Sequence, residues 1–225
     1  MTILNKVIRL QNVNYSVKSA DLYLPILTNI TVEINEGVTI AITGASGSGK
    51  TSLLNLMAGL DLPTSGHIYY DNQDISLLNE DQRAQLRARR IGFIFQSFQL
   101  LPNLTALENV VLPLEILGQE QALDKAKFWL HKVGLEHRTH HYPLQLSGGE
   151  QQRVAIARAF AGSPSVLFAD EPTGNLDNKT GKTIADLLFA LNDEHRTTLV
   201  IVTHDDSLAK RCQLHWPLVD GALAC

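Results

Sequence analysis

"GASGSGKT", residues 44–51, is the stretch on which the fold turns. It meets the pattern G-x-x-x-x-G-K-[ST] at every fixed position. An apolar run at residues 38–43 precedes it and reads as a strand, and an apolar-periodic run at 51–58 follows and reads as a helix. The context supplies the physics. Glycines let backbone N–H groups wrap a phosphate, and a helix start adds uncapped donors at the positive end of aligned peptide dipoles. Gly44, Ala45, Ser46, Gly47, Ser48, Gly49, Lys50, Thr51 and Ser52 are therefore expected to bind a nucleoside triphosphate. Lys50 would reach the β- and γ-phosphates, and the Thr51 hydroxyl would ligate Mg²⁺. A glycine-rich strand-to-helix turn without a ligand is the plain alternative.

Working outward, residues 7–17, 27–34, 66–70 and 91–95 read as strands, with a helix at 79–90. From about residue 98 to 142 the pattern changes to helix and loop. Alternation then resumes with a helix at 149–160, a strand at 166–169, a helix at 177–194, a strand at 199–202 and a helix at 207–211. Buried apolar strands alternating with helices imply a parallel sheet. The middle segment is then an insertion into an α/β core, expected to be a helical lobe.

The chain has 225 residues and a net charge of −4, which argues against a nucleic-acid partner and its usual basic face. Two cysteines, Cys212 and Cys225, are too few for a disulfide framework or a metal cluster and read as free thiols. The N-terminus has no signal-peptide organisation. No stretch nears the ~20 apolar residues that span a bilayer, so a membrane role would need another chain.

Mg²⁺ and an attacking water need acids at the end of a neighbouring strand. Residues 166–169 followed by Asp170 and Glu171 supply them: Asp170 to hold Mg²⁺, mostly through water, and Glu171 to polarise the nucleophile. The strand at 199–202 ends in Thr203-His204-Asp205, which offers His204 to the γ-phosphate. "LSGGEQQR", residues 146–153, places Ser147 and Glu150 in a capping box around two glycines. Glycines at a helix start cost about 1 kcal/mol each relative to alanine, which suggests a backbone built to meet an anion.

The glycine-rich loop, LSGGEQQR, LFADEPTGNLD and VTHD, in this order, resemble the ATP-binding cassette (ABC) ATPases over essentially the whole chain. The resemblance implies a P-loop α/β core with an antiparallel β subdomain and an inserted helical subdomain, at about residues 97–146 of a single domain spanning 1–225. It implies ATP and Mg²⁺ as ligands and a head-to-tail homodimer, in which Ser147, Gly148 and Gly149 face the nucleotide of the opposite subunit. Gln96 matches the glutamine that senses Mg²⁺ and the attacking water, and Asp177 closes the Asn175-Leu176-Asp177 segment that crosses the dimer interface.

"GFIFQSFQLLPNLTALENVVLPLEILG" and "LFADEPTGNLDNKTG" are similar to cassettes of the LolD, MacB and FtsE group, most of all the YbbA type. That implies a separately encoded inner-membrane permease, a peripheral position on its cytoplasmic side, and extraction or export of lipoproteins, lipids or hydrophobic compounds. A soluble ABC ATPase in DNA repair or cofactor assembly is the alternative; the acidic charge and the short span between the two glycine motifs weigh against DNA repair.

Val17 occupies the position where the family carries an adenine-stacking aromatic. Either Tyr15, two residues earlier on the same strand face, takes that role or the base packs on aliphatic surface. Trp216 and Tyr23 read as ordinary packing. Residues 82–90 read as a solvated basic helix face. The permease is expected to dock on a groove lined by Phe98, Leu100, Leu101 and Leu104, with Leu112, Pro113 and Leu114 nearby.

Overall fold

Along the chain run β1 (Lys6–Ser19), β2 (Leu22–Asn35), β3 (Thr39–Thr43), α1 (Lys50–Met57), β4 (Ser65–Tyr70), β5 (Gln73–Asp74), α2 (Glu80–Arg90) and β6 (Ile91–Phe95). Then follow α3 (Ala106–Ile116), α4 (Ala122–Lys132), α5 (Gly148–Ala161), β7 (Val166–Asp170), α6 (Asn178–His195), β8 (Thr198–Val202), α7 (Asp206–Ala209), β9 (Leu214–Val219) and β10 (Ala222–Leu223). The structure, a computed structural model, describes residues 5–19 and 22–224. Cys225 lies outside them. Cys212 is a free thiol whose pKa burial pushes up to about 11.

The chain divides into two compact units. One comprises the chain up to Arg87 and from Arg196 onward; the other is Ala88–His195. In the first, β2, β1, β4 and β5 form an antiparallel sheet, while β9, β3 and β8 pair in parallel and β10 adds to β9 in antiparallel sense. The residues of β8 are all buried, as are the first four of β3. Such continuous apolar runs are what parallel strands covered on both faces require. Each fully buried aliphatic side chain there contributes about 1.5–3 kcal/mol relative to exposure.

The second unit pairs β6 and β7 in parallel, from Ile91↔Val166 to Phe95↔Asp170. Its helices pack through Trp129 of α4, which stacks on Phe160 of α5 with centroids 5.4 Å apart. Thr105 and Glu108 form a capping box that starts α3, and the helix continues through Pro113. Between residues 97 and 146 the described residues hold α3, α4 and a 3₁₀ turn, with no strand.

The structure departs from the sequence reading in several places. β2 begins at Leu22 rather than 27, because residues 22–25 pair with the outer part of β1 while exposed, so no burial period marks them. Tyr23 lies on that stretch, 70% exposed, and is not core packing. β9 was not expected at all. Leu218 is its one fully buried residue, and Pro217 breaks the pattern; the strand forms because Leu214–Pro217 pair in parallel with β3. The basic face of α2 is partly neutralised, since Glu80 binds both Arg83 and Arg87.

Candidate functional site

Two groups of side chains form, one in each unit. In the first unit β3 and β8 run parallel in register from Thr39↔Leu199 to Ile42↔Val202, and the Thr203 N–H donates to the Ile42 carbonyl at 3.1 Å. Gly44 and His204 therefore leave neighbouring strands at the same carboxyl edge, where open α/β sheets bind ligands.

The loop between β3 and α1 is shaped by glycine. Gly49 has φ 100° and Gly44 φ 153°. A Cβ on Gly44 would lie 2.3 Å from the Leu218 carbonyl oxygen, and one on Gly49 would lie 2.9 Å from Leu27 Cδ2. Lys50, a buried residue, donates from Nζ to the Gly44 and Ala45 carbonyls at 2.8 Å each. Gly49 precedes α1 without a side-chain cap, and the buried Ser48 Oγ has no hydrogen-bond partner. A phosphate matches this arrangement: uncapped N–H donors, an orphaned hydroxyl and a cation held at the loop mouth. Ala45, Ser46 and Gly47 are exposed along the loop, and Thr51 and Ser52 open the helix.

Tyr15 is half-buried on β1, and burial, with the Asp61 carboxylate adding to it, raises its phenol pKa. Its strand partner is Leu27, the residue against which Gly49 rests. Tyr15 thus stands one strand away from the glycine-rich loop. Val17 lies further out and is 37% exposed.

In the second unit the pairing of β6 with β7 sends Gln96 and Glu171 out of adjacent strand ends, with Asp170 as the last residue of β7. Both side chains converge on Gly174: a Cβ there would lie 2.8 Å from Gln96 Nε2 and 3.0 Å from Glu171 Oε2. Asn175 holds Gln96 at both ends, donating from Nδ2 to the Gln96 carbonyl at 3.0 Å and accepting at Oδ1 from Gln96 Nε2 at 3.3 Å. Glu171 sits at φ 45°, a left-handed conformation that side-chain-bearing residues adopt at a cost of order 1–3 kcal/mol, and such strain clusters at functional positions.

Ser147 caps α5. Its hydroxyl accepts from the Glu150 N–H, while Glu150 Oε2 accepts from the Ser147 N–H and Oγ at 2.8 Å. These bonds, and Arg138 beside them, hold the Glu150 carboxyl below its ordinary range. The two glycines have reasons within the chain itself. A Cβ on Gly149 would meet Thr180 Cγ2 at 2.6 Å, and one on Gly148 would meet Leu176 Cδ2 at 3.3 Å. Close packing of α5 on the start of α6 thus favours glycine at 149 whether or not an anion is present. Asp177 has a local task too: Oδ1 accepts from the Lys179 and Thr180 N–H groups, which caps α6, and a hydrogen bond from the Thr180 side chain together with these lowers its pKa.

Two polar residues of α5 were missed in the sequence. Gln152 is fully buried; Nε2 donates to the Pro172 carbonyl, next to Glu171, while Oε1 has no partner. Arg158 donates to the carbonyls of Gln99 and Phe98 at 2.6 and 2.9 Å. The signal for Gln152 was legible: it falls on the same helical stripe as Ile156 and Phe160, where a polar residue is unexpected.

The second unit also holds a cavity of about 400 Å³, walled by Phe93 and Phe95 of β6, Leu112 and Ile116 of α3, and the guanidinium-bearing Arg89 and Arg158. Of the residues assigned to the docking groove in the sequence, Leu112, Pro113 and Leu114 line this cavity, and Phe98, Leu100, Leu101 and Leu104 do not. Those four follow Gln96 in a loop, and the apolar wall comes instead from β6 and the C-terminal half of α3.

The sequence pattern of the family described as "ABC transporter" matches residues 27–174. An "Uncharacterized ABC transporter ATP-binding protein YbbA" of Escherichia coli K12 is 52% identical, over 96% of both chains. The "Lipoprotein-releasing system ATP-binding protein LolD" of Xanthomonas campestris is 43% identical over 96% of this chain and 92% of its own. The "Macrolide export ATP-binding/permease protein MacB" of Syntrophobacter fumaroxidans is 44% identical over 96% of this chain but 31% of its own length. Among solved structures, a dimeric ATP-binding cassette in a post-hydrolysis state with ADP and phosphate superposes with a TM-score of 0.89 at 42% identity, covering 97% of each chain.

Proposed function

This chain belongs to the ABC transporter family, is an ABC-type ATPase with that family's α/β fold, and on that footing we propose how its residues divide the work. The phosphate loop, residues 44–52, holds the ATP phosphates, with Lys50 on the β- and γ-phosphates and His204 on the γ-phosphate. Bound Mg²⁺ would be held by Thr51, Asp170 and Gln96, and supplies charge neutralisation on the phosphates. Glu171 polarises the attacking water. The observation that carries this reading is the convergence of Gln96 Nε2 and Glu171 Oε2 over Gly174, which aims an amide and a carboxylate at one point. Tyr15 is the candidate for the base, supported by its pairing with Leu27 beside Gly49.

The catalytic unit is a head-to-tail homodimer in which Ser147, Gly148 and Gly149 meet the ATP of the other subunit, with Asp177 at the interface. The exposure of Ser147 and the dimeric state of the similar solved cassettes support this. Each copy is one nucleotide-binding domain over residues 1–225, with a helical lobe at about 97–146 inserted in the core. No helix among the described residues is long and apolar enough to cross a membrane. By similarity to its relatives, the chain works as a peripheral subunit on the cytoplasmic side of the bacterial inner membrane, driving a separate permease that extracts or exports lipoproteins, lipids or hydrophobic compounds.

The permease segment seats in the cavity walled by Phe93, Leu112 and Ile116, whose lining carries two arginines and no acid. The occupant is therefore apolar with an acidic residue. A relative named as an ATP-binding/permease protein supports a permease as the partner of this chain. The test of the catalytic reading is Glu171→Gln, which should bind ATP as wild type does and release phosphate about 10²–10⁴-fold more slowly. Wild-type turnover in that variant would falsify it.

A further inference from the structure

Phe98 and Gln99, two and three residues beyond Gln96, both sit in the left-handed region, at φ 62° and 51°. Neither is glycine, so neither holds that conformation unaided. The Gln99 N–H turns back onto the Ser97 carbonyl at 2.6 Å, which leaves the carbonyls of 98 and 99 facing α5. There Arg158 meets both, one guanidinium nitrogen on each, at 2.9 and 2.6 Å. No carboxylate within salt-bridge distance of Arg158 is found among the described residues, so this cation's hydrogen bonds go to the loop backbone. A planar fork suits two successive carbonyls in a way that a lysine ammonium does not.

From this geometry we propose that Arg158 is a positioning residue for the ATPase reaction: it holds the strained turn at Phe98-Gln99 and so fixes the direction in which Gln96 leaves β6. Gln96 is then gripped on two sides. Asn175 binds its carbonyl, and Arg158 sets the loop that follows. The helix that begins at Ser147 ends by controlling where Gln96 points. Arg158 also lines the apolar cavity, so an occupant of that cavity touches the residue that aims Gln96. The inference rests on the reading of Gln96 as a participant in hydrolysis.

The experiment is a double-mutant cycle on the purified chain, with phosphate release at saturating Mg-ATP, KM for ATP and thermal unfolding measured for each variant. Gln96→Ala alone should lower kcat at least tenfold; a wild-type kcat there overturns the reading of Gln96 itself. Arg158→Met should also lower kcat at least tenfold while KM changes less than about twofold, because the phosphate loop is untouched. The combined variant should be no slower than Gln96→Ala, since Arg158 acts through Gln96. A folded Arg158→Met with wild-type kcat overturns the proposal, and so do losses that multiply in the combined variant. If Arg158→Met unfolds, Arg158→Lys serves in the same cycle. Its single ammonium replaces the fork imperfectly, and kcat should fall severalfold, again with no further loss beside Gln96→Ala.

Discussion

Gly174→Ala is a small perturbation with a specific consequence. Gly174 lies outside the left-handed region, so alanine meets no backbone penalty there. The new Cβ would stand 2.8 Å from Gln96 Nε2 and 3.0 Å from Glu171 Oε2. Ordinary contact near 3.5 Å requires these atoms to retreat by about 0.7 and 0.5 Å. Both are the ends of side chains, so the fold can yield, and stability should change by less than about 1 kcal/mol. Catalysis is less tolerant: a misplacement of about 1 Å can cost about 10²-fold. Shifts of half that size point to a loss of about tenfold in kcat, or about 1.4 kcal/mol of transition-state stabilisation. The assay is phosphate release at saturating Mg-ATP, beside nucleotide affinity and the unfolding temperature. A folded Gly174→Ala with undiminished kcat would refute the convergence of Gln96 and Glu171 as the basis of hydrolysis. A parallel loss of ATP affinity would show that the effect lies elsewhere.

Other outcomes follow from the same geometry. A Lys50→Ala chain mixed with a Ser147→Arg chain should regain part of the hydrolysis each lacks, because one of the two composite sites escapes both lesions; heterodimers that form and stay inactive count against sites shared between chains. Ser147→Ala should destabilise the start of α5 by about 1 kcal/mol through loss of the cap. Glu150 has a lowered folded pKa, so its contribution to stability is full above its ordinary value of 4.5 and is lost as pH falls below that toward the depressed value. The stability gap between wild type and Glu150→Ala should therefore narrow on acidification through that window, as unfolding curves at a series of pH values would reveal. Ile116→Glu, which places a charge on an exposed side chain at the cavity, should abolish co-fractionation with membranes while ATP affinity stays unchanged; retained membrane binding moves the permease site elsewhere.

The glycine-rich turn between β3 and α1 was legible because its pattern and its strand-to-helix setting are both local, and β3, β7 and β8 because buried parallel strands form continuous apolar runs. β9 was not, because its pairing with β3 comes from tertiary neighbours while its own residues alternate poorly around Pro217. The contact of Gly149 with Thr180, a second reason for glycine in LSGGEQQR, depends on α6, about thirty residues away in sequence, and no local pattern encodes it. The groove was half legible for a similar reason. Apolar residues after Gln96 look alike in one dimension, and only the packing of α3 and of β6 on α5 decides that Leu112 and Ile116 line the cavity while Leu101 does not.

The claim on which the rest depends is that ATP is held between two copies of this chain. The most direct measurement is the solution mass of Glu171→Gln with and without Mg-ATP. Nucleotide that is bound but not hydrolysed should shift the variant from the 24.8 kDa of one chain to twice that mass, and adding Ser147→Arg to the same chain should return it to the monomer. A Glu171→Gln chain that binds Mg-ATP at full occupancy and stays at 24.8 kDa would contradict the account.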